Sequence, residues 1–351
     1  MDETRMQPSK LRPGDKVAVV SLSWGGPATF PQRYETGKRQ LQDVFGLTAV
    51  EMPHTLRDAT WLHQHPEARA DDLMRAFADS SVRGIVSSIG GDDSIRILPF
   101  IDLDVIRSNP KVFLGYSDTT AIHLACLKAG MVCFYGPSIM AGFAENGGLF
   151  PYMVDSVQRT LFSSAPVGRI EPNAAGWTAE FLDWAEPELQ TCKRELAPSA
   201  GWRFLQGEGV RRGPLIGGCL EVLGWLRGTD VWPRPELWRG AILFLETSEE
   251  APPPTAVVRE LRVYAAMGIL RELAGILFGR PGGPVPPERF DAYDRAIGQV
   301  IDEEEGLRDL PVITRMDFGH TDPMFVLPYG VQAEIDCDAQ VLTIIENGVE
   351  D

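Results

Sequence analysis

The sequence predicts an α/β fold in two parts, an N-terminal domain on a parallel sheet and a C-terminal β-rich domain. Three observations predict it. Strand-like and helix-like runs alternate through the first half, as successive βαβ units require. An irregular stretch holding Trp177, Trp184 and Trp202 interrupts that alternation between Glu171 and Glu208. Beyond it, the chain ends in short apolar runs broken by turn residues. A chain of 351 residues suits one large domain or two ordinary ones.

The elements follow in order. Residues 17–22 (VAVVSL) are short, β-branched and apolar, which suits a strand buried on both faces. A polar loop at 23–27 leads to an amphipathic helix over about 31–44. In 68–77, Leu73 and Phe77 fall four apart, on one helix face. Residues 84–89 form a second strand ending in Gly90 and Gly91, and 111–115 a third. Residues 119–128 read as a helix closed by Gly130, and 131–135 as a fourth strand. This order describes a Rossmann/flavodoxin-like parallel sheet. The stretch to Glu208 reads as a long ordered connection, because disordered segments are poor in aromatics. After Gly209, strands are expected at 240–246 and 275–278, with helices at 257–273 and about 290–304. Further strands are expected at 311–314, 325–328, 332–336 and 340–346, with a hairpin turn at 336–339. The domains are therefore placed at 1–168 and 209–351, with the connection over 169–208.

Composition excludes several classes. Lys plus Arg is 33 against 49 Asp plus Glu, a formal charge of -16. A nucleic-acid polymer or an anionic membrane rewards the opposite sign. The opening MDETRMQPSKLRPGDK has no apolar core for a signal peptide, and no run is long enough to cross a bilayer. Five cysteines without Cys-x-x-Cys spacing fit reduced thiols in a cytoplasmic protein and argue against a cysteine zinc site.

Few residues can carry chemistry. Among five histidines, His123 sits in an apolar helix pattern and reads as a packing residue. His63 and His65 flank Gln64 in a polar loop without nearby carboxylate or cysteine partners for a metal. His320 lies in a Gly/Asp/Pro turn after a strand, where either an active-site base or a turn histidine belongs. Ser117 stands where a buried strand runs straight into a helix. It is either a nucleophile whose developing oxyanion meets helix amides, or an ordinary N-cap. Glu246 ends an apolar strand, as the acid that orients a histidine or as a plain strand-end acid. The pairs Gly90-Gly91 and Gly217-Gly218 permit close backbone approach to a ligand, or tight turns. Neither fits a dinucleotide fingerprint or a P-loop, so no nucleotide cofactor is expected.

Six short motifs in order resemble one family, the LD-carboxypeptidase family of serine peptidases, which includes the microcin C immunity peptidases. They are LRPGDKVAVV at 11–20, residues 69–73 through 87–91, GYSDT at 115–119, LIGGCL at 215–220, FLE at 244–246 and GHTDPM at 319–324. The resemblance implies a catalytic triad of Ser117, Glu246 and His320, with the nucleophile on the α/β domain and its partners on a largely β, barrel-like domain. It implies an oxyanion hole from the backbone N–H groups of Gly91 and Asp118, with Gly90 beside the substrate, no metal, no cofactor and a homodimer. Two branches share this machinery. One trims a terminal D-residue from muropeptides. The other cuts the amide between an aminoacyl or peptidyl group and a nucleotide. The long loop around Trp184 and Trp202 favours the second branch, with one tryptophan stacking on the base. Cys219 stands where many relatives carry a polar residue. A ligand-binding protein without turnover is the remote third reading.

Overall fold

The computed structural model describes residues 5–351 and arranges them around two sheets. The first four residues of the polar opening lie outside the described residues. The N-terminal apolar runs become β1 (Lys16–Val20), β2 (Thr48–Glu51), β3 (Gly84–Ser87), β4 (Val112–Gly115) and β5 (Phe134–Tyr135). They pair in parallel in the order β5-β4-β3-β1-β2. Every residue of β3 and β4 is buried, which is why those strands read as continuous apolar runs. Helices Pro31–Phe45, Pro66–Ala78 and Thr120–Ala129 lie where the periodicity places them. The first has Pro in its first turn and closes on left-handed Gly46 at φ 70°. One strand has no counterpart in the sequence reading, and another is shorter than expected. β2 is an edge strand of half-exposed residues and left no apolar signal. β5 is shorter than 131–135, since Met131 makes only an isolated bridge to Met6.

The second sheet collects β6 (Gly168–Ile170), β7 (Arg203–Gln206), β8 (Val210–Cys219), β9 (Ile242–Glu246), β10 (Gly275–Gly279) and β11 (Val312–Met316). β12 (Leu327–Pro328), β13 (Gln332–Asp336) and β14 (Val341–Ile344) follow, and the order is β6-β14-β13-β8-β9-β10-β11-β7. Its centre, β8 to β11, is parallel, and its flanks are antiparallel. Helices Pro254–Ala266 and Phe290–Gly298 connect the central strands, the latter continuing as a π-helical turn over Gln299–Glu304.

β12 crosses back. It pairs antiparallel with β5 and completes the first sheet. The run at 325–328 signals burial, but an apolar run does not say which sheet it joins. Pro328 lacks an N–H, so an outer position suits it.

The connection is ordered, and Arg203–Gln206 within it forms the edge strand β7. Trp177 and Ala197 exchange backbone hydrogen bonds of 3.0 and 2.7 Å, and Thr178 pairs likewise with Asp322. Arg194 ties the connection to both halves. Its guanidinium binds the buried Glu145 in bidentate fashion, with Nε–Oε1 at 2.8 Å, and reaches Asp322 Oδ2 at 2.7 Å. Burial draws the neighbouring Arg33 down to about 10, with Glu145 opposing the shift. The N–H of Arg33 Nη1 meets the Asn146 side chain, and Asn146 Nδ2 donates to Leu189 O at 2.7 Å. Replacing Arg194 by Gln strands two acids beside one arginine. Arg194→Gln is expected to cost about 3 kcal/mol of stability, and Arg194→Lys less, read as the shift in denaturant midpoint.

Candidate active site

The carboxyl ends of β4 and β9 face one another across the two sheets, where ligand sites of parallel sheets form. Ser117 follows β4 at the start of a short 3-10 turn. Its φ is +62°, a left-handed value that a residue with a Cβ adopts only under constraint. This is the strained geometry of a serine turned outward at a strand–helix junction. The N-cap positions of this turn and of the helix after it fall on Tyr116 and Thr119, not on Ser117. The Ser117 N–H instead donates to Tyr135 Oη at 3.0 Å.

Glu246 is fully buried at the end of β9. Oε2 meets His320 Nδ1 at 2.7 Å, and Oε1 accepts the Tyr135 hydroxyl at 2.5 Å. His320 packs its ring on Tyr116, with centroids 5.0 Å apart, beside Ser117 in sequence. Its Nε2 lies 3.1 Å from Glu249 Oε2. Burial alone lowers the imidazole pKa, but Glu246 and Glu249 override it and push the group up to about 10. The hydrogen bond from His320 holds Glu249 down at about 2. The structure thus gathers Ser117, Glu246 and His320 around Tyr135 and Tyr116.

The glycine loop completes the site. A Cβ at Gly90 would lie 3.1 Å from Ser117 Oγ and 3.6 Å from the Asp118 nitrogen, so a side chain there fills the space before the nucleophile. Gly91 has φ +142°, and a Cβ on it would collide with Ser23 Oγ. The Asp118 carboxylate accepts the N–H groups of Asp93 and Ser94 at 3.1 and 2.8 Å, holding the loop against the Ser117 turn. Burial raises its pKa, with those donors opposing. The other pair plays a different part. Gly218, at φ +137°, lets the end of β8 press on Thr120, whose hydroxyl donates to Ser117 O at 2.7 Å and accepts from Cys219 N at 3.2 Å. Its close approach is to protein.

The two tryptophans separate. Trp202 is tied by its indole N–H to Asp317 Oδ2 at 2.7 Å and lies against Phe325. Trp184 sits over Arg33, whose guanidinium carbon is 4.8 Å from the ring centre. Trp184, Phe30 and Trp24 form a chain of edge contacts, 5.8 and 6.0 Å between centroids. Trp24 N–H donates to Gly90 O at 3.3 Å, so this aromatic wall starts at the glycine loop.

Other histidines take structural roles. His123 is fully buried, stacks on Tyr329 and contacts Gly115 O and Cys133 Sγ, and burial lowers it to about 3. His63 pairs with Asp93, and His65 stacks on Trp61. No group of three or more metal-ligating side chains gathers among the described residues. Sequence reasoning missed Tyr135, Glu249 and Glu221. Glu221 Oε1 accepts both the N–H and the hydroxyl of Ser248, at 3.0 and 2.5 Å, fixing the loop that carries Glu249. Strand-end position was the available signal for Tyr135, and proximity to Glu246 for Glu249.

The chain matches the family model for the LD-carboxypeptidase N-terminal domain over residues 17–136 and that for the C-terminal domain over 212–335. It is 30% identical over 346 residues to a Vibrio cholerae protein named as a carboxypeptidase, covering 96% of this chain and 97% of that one. It is 29% identical over 339 residues to the microcin C7 self-immunity protein MccF of Escherichia coli, covering 96% and 94%. An MccF-like protein from Streptococcus pneumoniae, solved in complex with AMP, superposes with a TM-score of 0.84 at 32% identity, covering 94% of this chain and 98% of that chain. MccF in complex with aspartyl sulfamoyl adenosine gives 0.82 at 27%, covering 98% and 100%.

Tyr135→Phe removes the donor to Glu246 and the acceptor for Ser117 N–H together. It is expected to lower stability by about 1–3 kcal/mol. Turnover should fall while KM stays near its starting value, checked by steady-state kinetics beside a denaturant titration.

Proposed function

Since this chain belongs to the LD-carboxypeptidase family and is a serine-type hydrolase, we propose that Ser117, Glu246 and His320 hydrolyse the amide joining an aminoacyl or peptidyl group to a nucleotide. The observation that carries this reading is the buried relay in which Glu246 holds His320 Nδ1 while Tyr135 links the same carboxylate to the Ser117 backbone. Neutral His320 takes the Ser117 proton as Oγ attacks the carbonyl carbon. Charge on the carbonyl oxygen is met by the N–H groups of Gly91 and Asp118. Glu246 steadies the imidazolium, which then returns its proton to the leaving nitrogen. Water, activated by the same imidazole, clears the acyl-enzyme. The enzyme works in the cytoplasm as a homodimer and needs no metal or cofactor.

The nucleotide branch is favoured by relatives solved with AMP and with an aminoacyl sulfamoyl nucleoside. It is favoured also by the aromatic wall from Trp24 to Trp184. Trp184 is the residue for the base, because Trp202 packs its ring against Phe325 and is anchored there by its indole N–H on Asp317.

Incubation with aspartyl sulfamoyl adenosine and with a muropeptide, read by mass spectrometry, tests the reading. Cleavage of the adenosine compound alone is expected, whereas trimming of the muropeptide alone assigns the cell-wall branch. Ser117→Ala should lower kcat by about 10³-fold or more. Trp184→Ala should raise KM for the nucleotide substrate by about 5- to 100-fold, the weight of one base stack, with kcat little changed.

A further inference from the structure

We propose that Glu249 determines which acyl groups the enzyme accepts: its carboxylate caps His320 Nε2 in the resting enzyme and is drawn off by the free α-ammonium of an aminoacyl substrate. This inference rests on the nucleotide-amide reading above and narrows it to substrates with an unblocked amine.

The contact itself sets the problem. A base that serves Ser117 must offer a free Nε2 lone pair. Here Nε2 is 3.1 Å from Glu249 Oε2, while Nδ1 is 2.7 Å from Glu246 Oε2. Ionised carboxylates only accept, so an imidazole bonded to both donates from both nitrogens and is a cation. Burial would neutralise it, and the paired acids keep it charged up to about pH 10. The groups facing this ring are Glu246 from β9, Glu249 from the following loop, and the Tyr116 phenol from the first sheet. Tyr116 in turn senses Asp322, Glu249, Glu246 and Arg194.

Glu249 is built to move. Its side chain is 72% exposed. Apart from its own backbone N–H, its carboxylate has no partner but His320 among the described residues. Its backbone is fixed, because Ser248 is held by Glu221 and Ala251 turns the chain at φ +53°. The side chain can swing while the loop stays.

Substrate geometry supplies the trigger. Ser117 Oγ must come within about 3 Å of Nε2 for proton transfer. An α-ammonium sits about 2.5 Å from the scissile carbonyl carbon. The Glu249 side chain, 72% exposed, is free to follow that cation when it leaves Nε2. With Glu249 on the ammonium, the imidazolium loses one acid, its Nε2 proton passes to solvent, and the neutral base forms beside Ser117. An N-acylated group carries no cation and leaves the cap in place.

The test compares aspartyl sulfamoyl adenosine with its N-acetyl derivative, using the wild type and Glu249→Gln. The labelling rate of Ser117 by a fluorophosphonate is followed against pH as a substrate-independent readout. The wild type should favour the free amine by about tenfold or more in kcat/KM, and the variant should bring the two within about threefold. The acid limb of labelling should move down by about one pH unit in the variant, since a His320 freed of one acid deprotonates earlier. A preference that survives in Glu249→Gln overturns the proposal, and so does an unmoved labelling limb. Wild-type protein that labels but cleaves neither amide marks failure of the nucleotide reading alone, and the labelling limb then still decides whether Glu249 caps the base.

Discussion

One hydroxyl at the seam between the two sheets sets the polarity of everything around it. Tyr135 ends β5, and its oxygen lies between Ser117 N–H and the Glu246 carboxylate. The backbone N–H can only donate and the carboxylate can only accept. The phenol must therefore spend its single proton on Glu246 and a lone pair on Ser117. Burial, reinforced by Glu246, pushes the phenol well above its ordinary pKa and keeps that proton in place. One carboxylate oxygen is thereby occupied, and the other is left to align His320. The serine's backbone and the histidine's ring are thus referred to the same acid, although they arise from different sheets.

Around this point the chain uses close approach in place of bulk. The left-handed backbone of Ser117 and the bare Cα of Gly90 and Gly91 clear the space where a carbonyl group must sit. Gly218 does the matching work on the far side, letting the end of β8 dock onto Thr120. The connection is then drawn over the joint by charge. Arg33 and Arg194 stand among Glu145 and Asp322, two cations among two anions, so the buried cluster is near balance.

How much of this could be read in the sequence depended on range. β1, β3 and β4 were legible because burial on both faces writes an unbroken apolar run. Ser117, Glu246 and His320 were legible as positions, since each stands at or just past a strand end within a recognisable motif. Tyr135 was not, because its meaning lies in a partner 111 residues away. Glu145 and Arg194 stand 49 apart, and no local pattern marks them as a pair. β2 escaped because an edge strand of half-exposed residues has no periodic signature. The run at 325–328 reads as a strand of the C-terminal domain, yet it joins the first sheet, because hydrophobicity reports burial and is silent on pairing.

That misplaced strand has a consequence for how this protein can be divided. The chain leaves the first sheet after β5, builds the second, and then returns two residues to the outer edge of the first. A cut near residue 208 would strip β5 of its outer neighbour and expose unpaired backbone, an invitation to aggregate. The halves are therefore not interchangeable cassettes. A chimera between relatives that respects only the linear order would separate a border strand from its host, so heredity and engineering alike must treat the whole polypeptide as the transferable unit.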